Sequence, residues 1–216
     1  MNRLCLPYLC RAKRISATVG AIFLLVFAAI SYADELQSPT AIIRDITERV
    51  VHILQAHEGQ PSTLAEQEEI KKIVLPYVDF EVMSKLVMAQ YWNQMSPAQQ
   101  NEFIGLYRAQ LIQVYLTAFS RYSGQTVRIL ASTQISTNPP ITQVDTEIIQ
   151  TDGRQNIPVT YGFVKETGGW KIYDVFIDGV CMNLTYRDTY GRMIAQDGIP
   201  KFLDSLKKKE ESWHSS

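Results

Sequence analysis

Few residues of this chain are of types that do chemistry, and their spacing does not assemble a site. Histidine occurs at His52, His57 and His214. His52 and His57 are five apart in a helical stretch, so they do not share a face as an i, i+4 pair would. No His-Glu-x-x-His or other metal-ligand spacing is present, so no metal site is expected. Cys181 sits among apolar residues, which raises a thiol pKa and suits packing better than nucleophilic attack. There is no Gly-x-Ser-x-Gly and no phosphate-cradling glycine loop. Asp174 and Asp178 remain, because they interrupt the apolar run GWKIYDVFIDGVCMNL, Gly169 to Leu184. An aspartate in an apolar cone can act as a general base in a small curved-sheet enzyme. The plainer alternative gives Asp174 a structural hydrogen bond and Asp178-Gly179 a turn. A helper acid, oxyanion donors or a cofactor motif would be needed for catalysis, and none is clear. The expectation is a protein that is not an enzyme and carries no cofactor.

That run is too apolar for a half-buried strand, which alternates apolar with polar. Strict alternation puts Ile172 and Phe176 on one face and Tyr173, Val175 and Ile177 on the other. A further apolar set follows at Val180, Met182 and Leu184. Something must cover both faces.

The elements that would do so divide the chain in two. Residues 1–33 are expected to be a cleaved signal peptide. Arg3, Arg11, Lys13 and Arg14 precede an apolar stretch from Ile15 to Ile30, and Ser31-Tyr32-Ala33 offers a small-residue cleavage site. The apolar stretch is short for a membrane span. Cleavage would remove four of 21 basic residues, none of 22 acidic ones, and Cys5 and Cys10, leaving 17 basic against 22 acidic residues. An exported, mildly acidic chain with one cysteine makes no internal disulfide and is a poor nucleic-acid binder. Lys207-Lys208-Lys209 reads as a solvated helix end.

Residues 34–124 read as helical. Thr40 to His57 carries Ile42, Ile46, Val50, Ile53 and Leu54 on one stripe. Leu64 to Leu75 is a second helix ended at Pro76, and Tyr77 to Trp92 a third. Ser96-Pro97-Ala98-Gln99 is a capping-box start for a helix to about Tyr122, terminated by Gly124. Residues 125–180 change to period two. Strands are expected at Thr126–Ala131, Thr142–Gln150, Ile157–Lys165 and the opening run, with turns at Asn138-Pro139-Pro140, Asp152-Gly153 and Gly168-Gly169. Short helices at Arg187–Ala195 and Ile199–Lys207, within 185–207, close the domain, and 208–216 is a polar tail. Helices followed by an antiparallel meander make an α+β domain. Its apolar surplus fits a larger ordinary core. The sharper reading is an apolar cavity between sheet and helices, filled by a greasy ligand.

Three stretches in order resemble the MlaC family: IVLPYVDFEVMSKLVMAQYW, SPAQQNEFIGLYRAQLIQVYLTAFSRYSGQ, and WKIYDVFIDGVCMNLTYRDTYGRMIAQDGIPKFLDSL. They span about Ile73 to Leu206. Cys181 departs from the small polar residue expected after Gly179-Val180. The resemblance implies a periplasmic phospholipid carrier, of the kind also called toluene-tolerance or auxiliary ABC-transporter proteins, that maintains outer-membrane lipid asymmetry. It implies a twisted, NTF2-like antiparallel sheet packed against helices over residues 34–207, with acyl tails in an apolar pocket between them. By position, Val159 and Val180 are the foremost pocket residues. Tyr161, Phe163, Val175, Ile177 and Met182 follow, and Tyr77, Phe80, Met83 and Val87 are expected on a helical wall. The implied partners are phospholipid, an inner-membrane ABC transporter complex met through its MCE-domain subunit, and an outer-membrane lipoprotein assembly. A charge at Val159 or Val180 is expected to abolish lipid loading in a protein that still folds.

Overall fold

The computed structural model describes residues 38–56 and 63–214, the side chain of His214 excepted. The expected signal peptide, and His57, lie outside the described residues.

Helix α1, Pro39–Gln55, starts where Ser38 accepts a hydrogen bond from the Ala41 amide and proline occupies the first turn. Helix α2, Leu64–Val74, opens on a capping box between Thr63 and Glu66. Pro76 then tightens the chain into a 3-10 turn, Leu75–Tyr77, so the expected helix from Tyr77 to Trp92 is broken up. Helix α3 is only Phe80–Met88, capped by Asp79, and a second 3-10 stretch covers Ala89–Gln94. Helix α4, Pro97–Phe119, begins at the capping box read from the sequence, with Ser96 and Gln99 exchanging bonds.

Five antiparallel strands follow in the order β1-β2-β3-β4-β5: Thr126–Thr137, Pro140–Ile149, Ile157–Glu166, Gly169–Ile177 and Val180–Cys181. The α+β meander is as expected, with two differences. Strand β1 runs past Ala131 to Thr137, because register shifts around Leu130 and Ile135 hide its alternation. The tightest Asp-Gly hairpin is Asp178-Gly179, at φ 51° and 76°, which joins β4 directly to β5. Asp152-Gly153 sits instead in a longer connection between β2 and β3.

Helix α5 runs from Met182 to His214, with non-helical geometry only at Gly198, φ 77°. It is two helices meeting at that kink, as expected around Gly198, but both are longer than expected, and the second carries the expected polar tail to His214 as helix. A positive φ costs a residue with a side chain about 1–2 kcal/mol, so glycine suits this kink.

Packing makes three cores. Helices α3, α4 and α5 bury Met83, Val87, Phe103, Tyr107, Tyr190 and Phe202 among themselves. Helix α1 lays Ile42 and Ile43 on the sheet against Val144, Val159, Phe163, Ile172 and Val175. Helices α1 and α2 share Val50, Leu54, Ile70 and Ile73. The helix–sheet contacts come from α1 on β1 and β2, and from α3 and α5 on β4.

Candidate functional site

The register of three strands lays out the apolar sheet face. Directly opposed residues share a face. The rows are Thr142–Phe163–Ile172, Val144–Tyr161–Val175 and Thr146–Val159–Ile177. One extra residue in β4 sets this pattern. Asp174 opposes Gly162 and Ile172 opposes Phe163, so Tyr173 is bulged out between them. This corrects the alternating assignment, which paired Ile172 with Phe176: the bulge brings Ile172 and Val175 to the same face. Tyr173 lies instead over Gly162, where an added Cβ would come within 3.2 Å of its ring.

The rows are buried almost throughout. Val144 and Phe163 are 0% exposed, Thr146 1%, Val159 4%, Ile172 5% and Val175 8%. Buried Thr146 is satisfied, because its hydroxyl donates to the Val159 carbonyl at 2.8 Å. Tyr161 breaks the pattern. It stands at the centre of the face with its in-register and same-strand neighbours covered, yet it is only half-buried. Burial pushes its phenol pKa up to about 12.

Helix α4 carries a second half-covered phenol, Tyr115, packed against the helical core. Tyr115 follows Tyr107 and Leu111 on one helix face, at i, i+4 and i+8. It is half-buried. Burial first, and then the nearby Tyr161, raise its pKa strongly. Tyr115 and Tyr161 are therefore neutral phenols across the physiological range. Neither hydroxyl has a hydrogen-bond partner among the described residues. Deeper in the helices, Tyr107 packs edge-on against Tyr186 at 5.4 Å, and its hydroxyl donates to Asn183.

The anticipated residues separate into groups. Val159, Tyr161, Phe163, Val175 and Ile177 meet on this face, with Tyr77 and Met182 half-buried at its margin. Met83 and Val87 lie in the helical core, with Phe80 packed against it under the Arg108 guanidinium. Val180 is 53% exposed on the β4–β5 hairpin. Sequence reasoning missed Val144 and Ile43, which lie on this face.

Asp174 is engaged structurally. Its carboxylate accepts from the Val175 amide at 2.8 Å, the Cys181 thiol at 3.1 Å and the Asn183 amide at 3.4 Å. This ties β4 to the start of α5. Burial in turn pushes the Cys181 thiol pKa up. Asp178 is the first residue of the tight turn, with its amide donating to the Pro158 carbonyl at 2.9 Å. His52 is exposed, on a groove of about 310 Å³ that it lines with Glu48, Arg49, Ile53, Glu69 and Ile73. Among the described residues no group of three or more His, Cys, Asp or Glu is placed to hold a metal. No described helix is long and apolar enough to cross a membrane.

Comparison with known proteins places this geometry. The family model for the MlaC protein matches residues 44–208. The intermembrane phospholipid transport system binding protein MlaC of Haemophilus influenzae is 25% identical over 197 residues, 88% of this chain and 91% of that protein. The toluene tolerance protein ttg2D of Pseudomonas putida is 22% identical over 180 residues, 82% of this chain and 80% of that one. The solved structure of a phospholipid-binding protein from Ralstonia solanacearum, in complex with a phospholipid, superimposes with a TM-score of 0.67. At 18% identity, covering 80% of this chain and 94% of that one, it shows a shared fold.

Proposed function

This chain belongs to the MlaC family, and from that premise we propose that it is a periplasmic phospholipid carrier. The observation that carries the reading is the apolar face of β2, β3 and β4, with Tyr161 half-buried at its centre, in a chain whose residues 44–208 match the family model. The relatives named for phospholipid transport and phospholipid binding supply the ligand class.

The physics of such a carrier follows from the tails. Two acyl chains carry about 28 methylenes, and at roughly 0.8 kcal/mol each their removal from water is worth about 20 kcal/mol gross. A lipid therefore does not cross an aqueous gap alone. A pocket and a bilayer solvate tails alike, so exchange between them is close to neutral and the carrier sets no direction. Direction belongs to partners. In this reading they are an inner-membrane ABC transporter complex, met through its MCE-domain subunit, and an outer-membrane lipoprotein assembly. The chain shows no nucleotide-binding glycine loop of its own. Residues 1–33 direct export and are cleaved after Ala33. Val159, Val175 and Ile177 of the sheet, with Tyr77 and Met182 at the margin, contact the tails, while Val180 on the hairpin sits at the mouth.

Transfer of a labelled phospholipid between two vesicle populations tests this. The mature chain should accelerate exchange in proportion to its concentration and drive the populations to equal labelling. Exchange no faster than the spontaneous rate would defeat the proposal.

A further inference from the structure

We propose that the outer edge of β1 is an interaction surface for a second copy of this chain, which adds its own β1 antiparallel across a two-fold axis. Strand β1 ends the sheet, so its outward amides and carbonyls have no strand beside them among the described residues. Its burial differs from that of its neighbours. Leu130 to Ile135 are six consecutive exposed residues, while no residue of β2 or β4 is exposed. The run, LASTQI, holds no charge, no proline and no glycine. Edge strands are commonly kept from pairing by lysine, proline or an inward charge, and this run has none of them. Uncharged six-residue stretches without proline are the ones that pair edge to edge.

Bulges at Leu130 and Ile135 are the protection present, and they bracket the run instead of interrupting it. Between them Ala131, Ser132, Thr133 and Gln134 keep unbroken register with β2. The free segment is therefore four regular residues with an aliphatic side chain at each end. Leu130 is 54% exposed and Ile135 55%. This arrangement selects the occupant. Opposed side chains of an antiparallel pair share a face, so the two-fold axis passes through a residue, and the middle of the segment offers Ser132 or Thr133. Either register sets Leu130 of one copy beside Ile135 of the other, and the symmetry makes that contact twice. No charge meets its like across the axis, because the nearest on β1, Arg128, is held by Glu147 of β2. An unrelated strand would have to supply apolar residues at the same spacing, which a second copy already has.

Sedimentation equilibrium of the mature chain tests this. Four paired residues and two aliphatic contacts make a small interface, so a reversible dimer should be half-formed at about 10 μM to 1 mM. Thr133 is exposed, so Thr133→Lys and Thr133→Glu should each keep the melting temperature. Each alone should be monomeric, because like charges then meet at or beside the axis. An equimolar mixture of the two variants should dimerise again. A chain that stays monomeric up to about 1 mM overturns the inference. So does a dimer that both charged variants leave intact, or one that the mixture fails to restore. A chain that stays monomeric but takes an extended segment of another protein onto this edge overturns it as well. None of these results bears on lipid carriage, which vesicle exchange tests separately.

Discussion

Replacing Val159 by aspartate probes the sheet face most severely. Val159 is 4% exposed, between Thr146 and Ile177 in register. Losing the buried valine costs about 1.5 kcal/mol or more. The new carboxyl, with an ordinary pKa of about 3.9, must stay neutral at pH 7 to sit there, which costs about 4 kcal/mol. The sum, on the order of 5–6 kcal/mol, takes a large part of a domain's roughly 5–15 kcal/mol. At about 2–4 °C per kcal/mol the melting temperature should fall on the order of 10–20 °C, and lipid recovered from the purified variant should drop sharply. The sign of the pH effect is fixed. A carboxyl whose folded pKa is raised destabilises as pH rises above its unfolded pKa, because the folded state then holds the extra proton. Relative to the unmodified chain, pH 5 should thus restore about 3 kcal/mol of the pH 7 deficit. The assay is thermal melting at both pH values, with extraction of bound lipid. Unchanged melting with full lipid, or a deficit that ignores pH, would refute the placement of Val159 on a dry face.

Val180→Glu alters the exposed hairpin. It should leave stability within about 0.5 kcal/mol and reduce lipid retention, whereas full retention would take Val180 out of the pocket mouth. Asp174→Ala orphans a thiol and two amides and should cost about 2–4 kcal/mol in denaturant unfolding, with vesicle exchange by the surviving folded fraction retained; loss of exchange at full stability would contradict a structural role. Ser96→Ala breaks the capping box of α4 and should cost about 1 kcal/mol, with no change in lipid bound. The Cys181 thiol, raised by burial, should alkylate more slowly at neutral pH than a free cysteine and faster as pH rises; rapid labelling at pH 7 would show it is not covered.

What the sequence made legible was local. The Ser96 capping box, the Asp178-Gly179 turn, the hairpin at Gly168 (its two turn residues are Thr167 and Gly168) and the alternation of β2 and β3 all follow from near neighbours. What it concealed was each place where one residue breaks a period. The bulge at Tyr173 reverses the facing of every residue on one side of it, and no propensity of tyrosine announces that. The shifts at Leu130 and Ile135 hid half of β1. The break at Gly198 was legible; the lengths of the helices on either side of it were not. The site was half legible. Val159, Tyr161 and Val175 share a strand-period pattern, but the partition of Met83 and Val87 into a separate helical core depends on helix orientation, which tertiary packing decides.

The central claim is that this chain encloses a dry space holding fatty tails. Purifying the mature protein without added lipid and weighing the phospholipid in its organic extract tests that most directly. The account predicts about one phospholipid per chain; an extract free of phospholipid from a well-folded, freshly purified protein would contradict it.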